Sequence, residues 1–455
     1  MALEEVTTAY YKGKNDKKTI NAWCMYDWAN SVYSLTITTA VFPSYFFGVT
    51  GGKGQSVDFL GLEINNSVLY TYALSFAFLL VAFQNPFLSA IADFRGSKKK
   101  FMRFFSNMGA LACGLMFFFD HNSIVFGVFL LIFAAMGYAG SLVFYNSYLP
   151  EIATEDKFDK ISAKGFALGY IGSVILLVVN LLMIQMPQFF GIATEIVDGV
   201  IVAKDGLLAP KISFLMVGIW WFAFAQYSFA YLPSREAKKT DVNIFVKGIQ
   251  ELKKVWHETK QLPLLRKFLI AFFFYSMGVQ TVMYLATIFG EEVIGMKLDQ
   301  LIKLVLLLQI LAIGGAYGMA WVAKKKGNIF SLTITLVLWV VVCISAFFMK
   351  EGMVNEYYIL GVLVGLVMGG VQSMSRSTYS KLMPQNTTDH ASYFSFYETL
   401  EKTSIALGTF VYGGILQLTG SMNNSAVSMA IFFIIGIVFL LKIPSKSSYN
   451  TVLKS

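Results

Sequence analysis

The chain has 455 residues, of which 56% are hydrophobic and only 14% are charged. Soluble domains carry about 25% charged residues, so the composition argues against a soluble protein built around one buried core. The net charge of +9 would also suit a nucleic-acid-binding protein, but basic residues collect in the cytoplasmic loops of membrane proteins, which explains the charge better.

Apolar runs of roughly 20 residues recur along the chain, and each is long enough to cross a bilayer as a helix. Backbone groups in hydrocarbon must pair internally, and uninterrupted apolar runs favour helices over the alternating pattern of a β-barrel. We therefore predict an all-α membrane protein with twelve transmembrane helices. The predicted spans are residues 20–47, 67–91, 101–119, 124–149, 161–186, 212–232, 268–289, 301–322, 329–349, 357–383, 391–418 and 426–443.

Most of the 36 Lys and Arg residues fall in the tails and in alternate loops on one side of the predicted membrane. Basic loops stay in the cytoplasm, so both termini are predicted to be cytoplasmic. A polar stretch after the sixth span divides the spans six and six, as in transporters built from repeated halves. The predicted parts are an N-terminal tail (1–19), a first half (20–232), a cytoplasmic linker (233–267), a second half (268–443) and a C-terminal tail (444–455).

The linker has its own helical pattern. Phe245, Ile249, Leu252 and Trp256 recur at i, i+4, i+7 and i+11, while charged residues occupy the other faces. This pattern predicts an amphipathic helix that lies on the inner membrane surface. A solvated linker is the alternative.

The first span carries polar residues that are unusual for a membrane helix. Asp27 is followed by Asn30, Ser31, Ser34 and Thr38, at i+3, i+4, i+7 and i+11, so all five share one helical face. A carboxylate is costly in hydrocarbon and usually faces an interior cavity on a functional path. Asp27 is therefore a candidate titratable group for proton coupling. The alternative is an interfacial or helix-capping carboxylate.

Two further spans carry stripes of hydroxyl and amide side chains at helical spacing. In the fourth span the stripe comprises Tyr138, Ser141, Tyr145 and Tyr148. In the seventh span it comprises Ser276, Gln280, Tyr284 and Thr287. Such groups can hold a small amphipathic substrate without the full cost of a buried charge. Each stripe alone is also explained by hydrogen bonding between neighbouring helices.

The last charged positions lie in the tenth and eleventh spans. Gln372 and Arg376 share a face of the tenth span, beside a stripe of small residues suited to close helix packing. Arg376 could bind a substrate carboxylate or form a gate, or could snorkel to the inner surface. Glu398 and Lys402 form an i, i+4 pair in the eleventh span. They are either self-neutralised or a gate, with Asp27 as one candidate partner for Lys402.

The motif Tyr26-Asp27-Trp28-Ala29-Asn30-Ser31, followed by Phe42-Pro43-Ser44-Tyr45-Phe46, resembles the vacuole-effluxer-like group of the major facilitator superfamily. That group is related to the autophagy-linked amino-acid exporter of fungal vacuoles. Residues 144–150, residues 369–377, residues 394–397 and Lys402 support the resemblance, which covers nearly the whole chain. It implies the major facilitator fold, with spans one, four, seven and ten around a central site that includes Asn146.

The superfamily also has a signature in the loop between spans two and three. Here the corresponding stretch, 89–98, keeps an acid at Asp93, a glycine at Gly96 and a basic end, but lacks the leading glycine and two arginines. In such transporters this loop is thought to latch one conformation, which implies a gating role for Asp93 and Arg95. A topology signal made of positive charge alone is the alternative.

We therefore expect a secondary active transporter that moves a small solute by alternating access, in the direction of efflux and with amino acids as the class implied by the resemblance. Drug or metabolite efflux, nutrient uptake and a non-transporting receptor are the alternatives. The substrate and coupling-ion path is predicted to comprise Asp27, Asn30, Ser31, Ser34, Tyr145, Asn146, Gln280, Tyr284 and Gln372. The gating residues are predicted to be Asp93, Arg95, Arg376, Glu398 and Lys402.

The sequence also carries expectations about partners. Three scattered cysteines and three histidines form no metal-ligand motif, and no phosphate-binding Gly-rich loop is present, so we expect neither an enzyme nor a cofactor. A proton is the expected coupling ion. The partners are a small-molecule substrate and the lipid bilayer, without nucleic acid, and the expected oligomeric state is a monomer. A multi-pass protein of this kind would lie in the plasma membrane if it is bacterial.

Overall fold

A computed structural model describes residues 13–197, 200–234, 244–384 and 386–444. Within these ranges the chain is helical apart from two short hairpins. The first part forms α1 (Lys17–Val32), α2 (Val41–Val49), α3 (Asn66–Arg95), α4 (Lys98–Leu115), α5 (Ile124–Asn146), α6 (Leu149–Ile152), α7 (Phe158–Gln185) and α8 (Leu208–Tyr231). The second part forms α9 (Ile244–Gln261), α10 (Pro263–Glu292), α11 (Leu298–Lys326), α12 (Asn328–Phe347), α13 (Val354–Leu382), α14 (His390–Thr419), α15 (Met422–Ser428) and α16 (Ala430–Leu441).

The two antiparallel hairpins lie between helices at the end of the molecule away from the tails. Strands β1 (Ser56–Phe59) and β2 (Leu62–Asn65) pair Ser56 with Asn65. Strands β3 (Thr194–Val197) and β4 (Val200–Ala203) pair Thr194 with Ala203. In the first hairpin the turn residues Leu60 and Gly61 both have positive φ, which matches the twist of the flanking strands.

Eleven helical segments of the described chain are long and apolar enough to cross a membrane. They correspond to the predicted spans other than 391–418. At that position the chain forms α14, which has 30 residues but is less apolar because it contains Glu398, Glu401 and Lys402. The structure thus forms a helix at each predicted span, and the prediction of twelve membrane crossings stays a prediction.

The first predicted span is not a regular α-helix. Between α1 and α2, residues Tyr33–Ala40 form a π-helical segment, in which the Thr39 hydroxyl donates to the Ser34 carbonyl, five residues earlier, at 2.9 Å. A π-helical turn takes up extra residues, so the register beyond it shifts relative to an α-helix. Thr39 consequently occupies the face where α-helical spacing predicted Thr38.

Two clusters of buried apolar side chains hold the bundle together. One is built almost wholly from residues of α1 to α8, and the other mainly from residues of α9 to α16. In the first part α1 packs on α7 and α8, and in the second part α10 packs on α14 and α16. Helix α7 contacts α11 and α13, and α3 contacts α14, so the two parts meet along these five helices.

The predicted linker helix is present as α9, and it packs on α3 and α14. Val255 is buried, and the Trp256 ring lies 5.6 Å from the Phe396 ring. Ile249 and Trp256 remain about half exposed, at 47% and 51%. The Phe245 side chain, residues 1–12, 235–243 and 445–455 lie outside the described part of the structure.

Candidate functional site

A cavity of ≈ 220 Å³ lies between the two parts, near the middle of the bundle. Apolar side chains form much of its wall, and polar side chains from both parts converge on it. Those predicted as path residues are Asp27, Ser31, Ser34, Asn146, Gln280, Tyr284 and Gln372. Those predicted as gating residues are Arg376, Glu398 and Lys402. Tyr138, Thr287 and Thr39 extend the polar lining.

One side of the cavity is built on an ion pair between α1 and α13. Both terminal nitrogens of Arg376 lie 3.2 Å from Asp27 Oδ2, and the Tyr145 hydroxyl donates to the same oxygen at 2.6 Å. Asp27 is 5% exposed and Arg376 is 2% exposed. A buried ion pair offsets its desolvation cost only when its remaining donors and acceptors also form hydrogen bonds. The other hydrogen bonds of Arg376 are therefore as important for stability as the ion pair itself.

Arg376 has a full set of further partners. Its Nε donates to Ser162 Oγ at 3.0 Å, and its terminal nitrogens donate to the Ser162 carbonyl at 2.9 Å and to Asn146 Oδ1 at 3.2 Å. The guanidinium lies 4.0 Å from the centre of the Phe166 ring and 4.6 Å from that of Trp23. Such stacking suits a planar, weakly hydrated cation. Arg376 does not snorkel to the surface.

Gly165 on α7 leaves the space that the ion pair occupies. A β-carbon at this position would lie 2.5 Å from Asp27 Oδ2 and 2.9 Å from Arg376 Nη2. Four residues later, a β-carbon at Gly169 would lie 2.5 Å from Ser31 Oγ. The small residues of α7 therefore allow α1 and α13 to bring their charges together.

The other side of the cavity holds three charged residues of α14. Lys402 Nζ lies 2.7 Å from Glu401 Oε2 and 3.6 Å from Glu398 Oε2. Gln280 donates to Glu401 Oε1 at 3.0 Å, and Asn146 donates to Glu398 Oε1 at 2.8 Å. Glu398 Oε2 is buried and accepts no hydrogen bond from the described residues. Two carboxylates therefore share one ammonium group.

Asn146 links the two charged groups. Its side-chain oxygen accepts from Arg376, and its side-chain nitrogen donates to Glu398. The predicted alternative of an Asp27–Lys402 contact is wrong, because Asp27 pairs with Arg376 while Lys402 pairs with its own helix. The reason is geometric: because Gly165 of α7 has no β-carbon, the Arg376 guanidinium has room to contact the Asp27 carboxylate.

Of the predicted path residues, Asn30 and Tyr145 do not line the cavity. Asn30 is buried on the neighbouring face of α1, 1% exposed, and Tyr145 reaches the site through its hydroxyl bond to Asp27. Gln372 lines the cavity and hydrogen-bonds with Tyr170 of α7. Tyr148, predicted with the fourth-span stripe, instead donates to the Pro233 carbonyl near the tails.

At the end of the molecule that carries the tails, which we call the tail side, Asp93 caps helix α14. Its carboxylate accepts from the Ser392 backbone nitrogen at 2.7 Å, the Ser392 hydroxyl at 2.8 Å and the Ala391 backbone nitrogen at 3.3 Å. A carboxylate at a helix N-terminus meets unpaired amides and the positive end of the helix dipole. Arg95 is partly buried, and its Nε has no hydrogen-bond partner among the described residues.

Further ion pairs surround this cap. Glu151 Oε1 lies 2.6 Å from Lys98 Nζ and 3.2 Å from His390 Nδ1, which joins α6 to α14. On α9, Lys254 Nζ lies 2.7 Å from Asp389 Oδ2, and this hydrogen bond raises the pKa of Lys254 above its ordinary value. The linker helix is thereby attached to the start of α14.

A second tail-side cluster joins α7 to α12 and α13. Asp159 at the start of α7 lies 2.7 Å from Lys381 Nζ and accepts from Asn328 Nδ2 at 2.6 Å. Ser377 also donates to Asp159. Together with the Asp93 cap, this cluster joins the two parts of the chain on the tail side.

A second cavity adjoins the central one toward the end away from the tails. It has a volume of ≈ 390 Å³ and lies between α2, the end of α7 and the start of α11. Thr39, Thr287 and Val305 line both cavities, so the two share part of their wall. All the hydrogen bonds described above that connect the first part of the chain to the second lie in the middle of the bundle or on the tail side.

Residues of α7 are the main part of the site that the sequence reasoning missed. Ser162, Gly165 and Asp159 had no assigned role, although glycines at 165, 169 and 172 follow a close-packing pattern. That pattern could have marked α7 as the helix against which α1 and α13 converge. Among the described residues, no group of His, Cys, Asp and Glu could hold a metal ion.

Comparisons with known proteins agree with this architecture. The family model described as "Vacuole effluxer Atg22 like" matches residues 15–452. The uncharacterized MFS-type transporter YxiO of Bacillus subtilis is 30% identical over 439 residues, covering 96% of this chain and 97% of that protein. The human organic anion transporter MFSD10 matches with a TM-score of 0.67 at 13% identity, covering 93% of this chain and 99% of that one.

A second solved structure, the major facilitator superfamily transporter FucP in the outward conformation, matches with a TM-score of 0.62 at 12% identity, covering 93% and 98% of the two chains. At this identity the likeness concerns the fold. These relatives and structural neighbours are transporters rather than enzymes. The chain is a multi-pass integral membrane protein, and it belongs to the Atg22-like, vacuole-effluxer family of major facilitator superfamily transporters.

Proposed function

We propose that this protein is a secondary active transporter that exports a small zwitterionic solute, with amino acids as the substrate class, by alternating access through the central cavity. The observation that carries the proposal is the cavity itself, where buried groups of both signs from the two parts face one space. We further propose that the chain crosses the membrane twelve times, as two six-helix halves with both tails in the cytoplasm. Export is suggested by the family to which the chain belongs.

The charges of the cavity suit a zwitterion. Arg376 can exchange part of its contact with Asp27 for a substrate carboxylate, since a guanidinium binds carboxylates through two parallel hydrogen bonds. Glu401 provides an acceptor for a substrate ammonium group. A zwitterionic substrate can form hydrogen bonds that replace those it displaces in the cavity, so the free-energy cost of desolvation is small. A neutral apolar solute would leave the charged groups of the cavity without partners.

The arrangement of contacts corresponds to one state of a transport cycle. The Asp93 cap and the Asp159 cluster hold the two parts together on the tail side, while a second cavity adjoins the central one toward the opposite end. With cytoplasmic tails, this is an outward-facing state. Opening to the cytoplasm would require the α3–α14 and α7–α13 contacts to separate, which assigns gating to Asp93, Arg376 and their partners.

Proton coupling is proposed to use Glu398. Asp27 was the expected group, but its oxygen already accepts three hydrogen bonds, two of them from Arg376. Glu398 instead has one oxygen without a hydrogen bond in a cluster with one negative charge in excess. A proton on Glu398 would neutralise the cluster, and the charges that face it are Lys402, Glu401 and, through Asn146, Arg376.

Counterflow in proteoliposomes tests the proposal. Vesicles loaded with an unlabelled amino-acid mixture are expected to accumulate a labelled amino acid transiently, because a carrier exchanges substrate across the membrane without a gradient. Sugars and hydrophobic cations inside should fail to drive the exchange. If labelled solute enters only when the vesicles contain sugars or hydrophobic cations, the protein transports a different class of substrate. If no exchange occurs with any internal solute, the protein is better explained as a receptor.

A further inference from the structure

A groove outside the central site lies on the membrane-facing surface between α4 and the end of α8. It has a volume of ≈ 760 Å³ and is lined by Lys99, Lys100, Arg103, Phe104, Asn107, Met108, Leu111 and Ser234. Three of these residues are basic, and none is acidic. We propose that this groove binds an anionic phospholipid, with the lipid phosphate among the basic residues and an acyl chain along the apolar ones.

The basic end of the groove has the chemistry of a phosphate site. Among the described residues no carboxylate pairs with Lys99, Lys100 or Arg103. Lys99 Nζ donates to the Leu232 carbonyl at 2.8 Å, and the Arg103 guanidinium lies 5.3 Å from the centre of the Phe229 ring, so both are held at the groove by α8 and its end. Neighbouring cations without a counter-ion repel one another, and a bound phosphate removes that repulsion.

The apolar end continues from the basic end into the bilayer. Helix α4 begins on the tail side, so its basic residues lie at the membrane surface and the later residues lie deeper. Phe104 and Leu111 are 61% and 64% exposed, and Met108 lies between them. From Lys100 to Leu111 the helix rises ~16 Å, which suits the upper part of an acyl chain.

Charge and depth together favour a lipid over a soluble anion. Basic pockets between membrane helices on the cytoplasmic side bind anionic lipid headgroups, and a soluble phosphate would leave the apolar half of the groove unused. The second part of the chain offers a matched comparison. Lys324 and Lys325 lie in the last turn of α11, but Lys325 lies over the Trp321 ring at 3.8 Å, and neither lysine lines this groove.

Lipid titration of the purified full-length protein, followed by native mass spectrometry, tests the site. The probes are phosphatidylglycerol and phosphatidylcholine of the same chain length. The double variant Lys100→Gln/Arg103→Gln is expected to weaken phosphatidylglycerol binding about tenfold and to leave phosphatidylcholine binding unchanged. Both side chains are exposed, so folding should be preserved. The control Lys324→Gln/Lys325→Gln should retain the affinity.

Two results would overturn the proposal. Equal losses in both double variants would mean that phosphatidylglycerol responds to the general positive charge of this face. Displacement of phosphatidylglycerol by glycerol phosphate at comparable concentration would show a site for a soluble phosphate. Phe104→Ala distinguishes the acyl contact further, because it should weaken binding of long-chain but not of short-chain phosphatidylglycerol.

Discussion

The cavity contains two charged groups that differ in how completely they are paired. The Asp27–Arg376 pair has one charge of each sign and is surrounded by Tyr145, Ser162 and Asn146. The α14 group has Glu398 and Glu401 against Lys402 alone, and Glu398 Oε2 accepts no hydrogen bond from the described residues. The paired group can position a substrate without a change in charge, whereas the unbalanced group can gain or lose a proton. The comparison assigns binding of the substrate carboxylate to the paired group and proton coupling to Glu398 of the unbalanced group.

The largest effect is expected when one member of the paired group is removed. Asp27→Asn or Arg376→Gln leaves the other charge buried without its partner, which costs about 3–5 kcal/mol of folding free energy. Transport should be abolished in both variants. Thermal unfolding in detergent and counterflow in proteoliposomes measure the two effects.

The double variant Asp27→Asn/Arg376→Gln is the control for this pair. It removes both charges, so it should recover most of the lost stability while transport stays absent. Full transport by Asp27→Asn would refute a role of this carboxylate in the path. Additive losses of stability in the double variant would show that the two charges do not stabilise each other.

Gly165→Ala tests whether the space on α7 is needed for the pair. The added methyl group would lie 2.5 Å from Asp27 Oδ2, so the pair must shift, at a cost of about 1–3 kcal/mol. Counterflow is expected to fall at least tenfold. Gly413→Ala, which adds a methyl group with no neighbouring atom within 4 Å, should leave both stability and transport near their original values.

Glu398→Gln tests the unbalanced group. The amide mimics a protonated carboxyl, so counterflow should persist within a few-fold of the original rate, while accumulation driven by a pH gradient should be lost. The counterflow rate should also lose its dependence on pH, because the carboxyl group that exchanges the proton is absent. Retained pH-driven accumulation would assign coupling to another residue. Glu401→Gln is the comparison variant: it should weaken counterflow, because Glu401 is the proposed acceptor for the substrate ammonium group, while pH-driven accumulation persists.

The smallest effect is expected at the tail-side cap. Asp93→Asn weakens the charge-assisted hydrogen bonds to the start of α14. This should shift the free-energy difference between the outward-facing and inward-facing states by about 1–2 kcal/mol toward the inward-facing state. Spin labels at Lys160→Cys and Lys324→Cys, on exposed positions of the two parts, should report a larger population of long distances. Lys254→Gln on the linker helix should give a smaller shift in the same direction. Unchanged distances would argue against a latch at Asp93.

The sequence predicted the helices well because apolar runs and helical spacing are local properties. It also identified Asp27, Arg376 and Glu398 as unusual, since charges in apolar segments need a compensating environment. Pairing depends on distances between helices, which no local pattern contains. For that reason the sequence suggested Lys402, and not Arg376, as a candidate partner of Asp27.

Two other differences have clear physical causes. The π-helical segment Tyr33–Ala40 shifts the cavity face from Thr38 to Thr39, and its sequence differs little from that of an ordinary apolar helix. Asp159 and Ser162 look like unremarkable polar residues at the start of a span. They acquire roles only because α7 packs against α13 of the other part of the chain.

The most direct test of the division between the two groups is the simultaneous measurement of proton and substrate flux in proteoliposomes. For the unaltered protein, a proton flux should accompany the flux of amino acid in proportion to it. For Glu398→Gln, amino-acid exchange should continue without proton flux, and for Asp27→Asn both should cease. Proton flux that persists with substrate flux in Glu398→Gln would contradict the account.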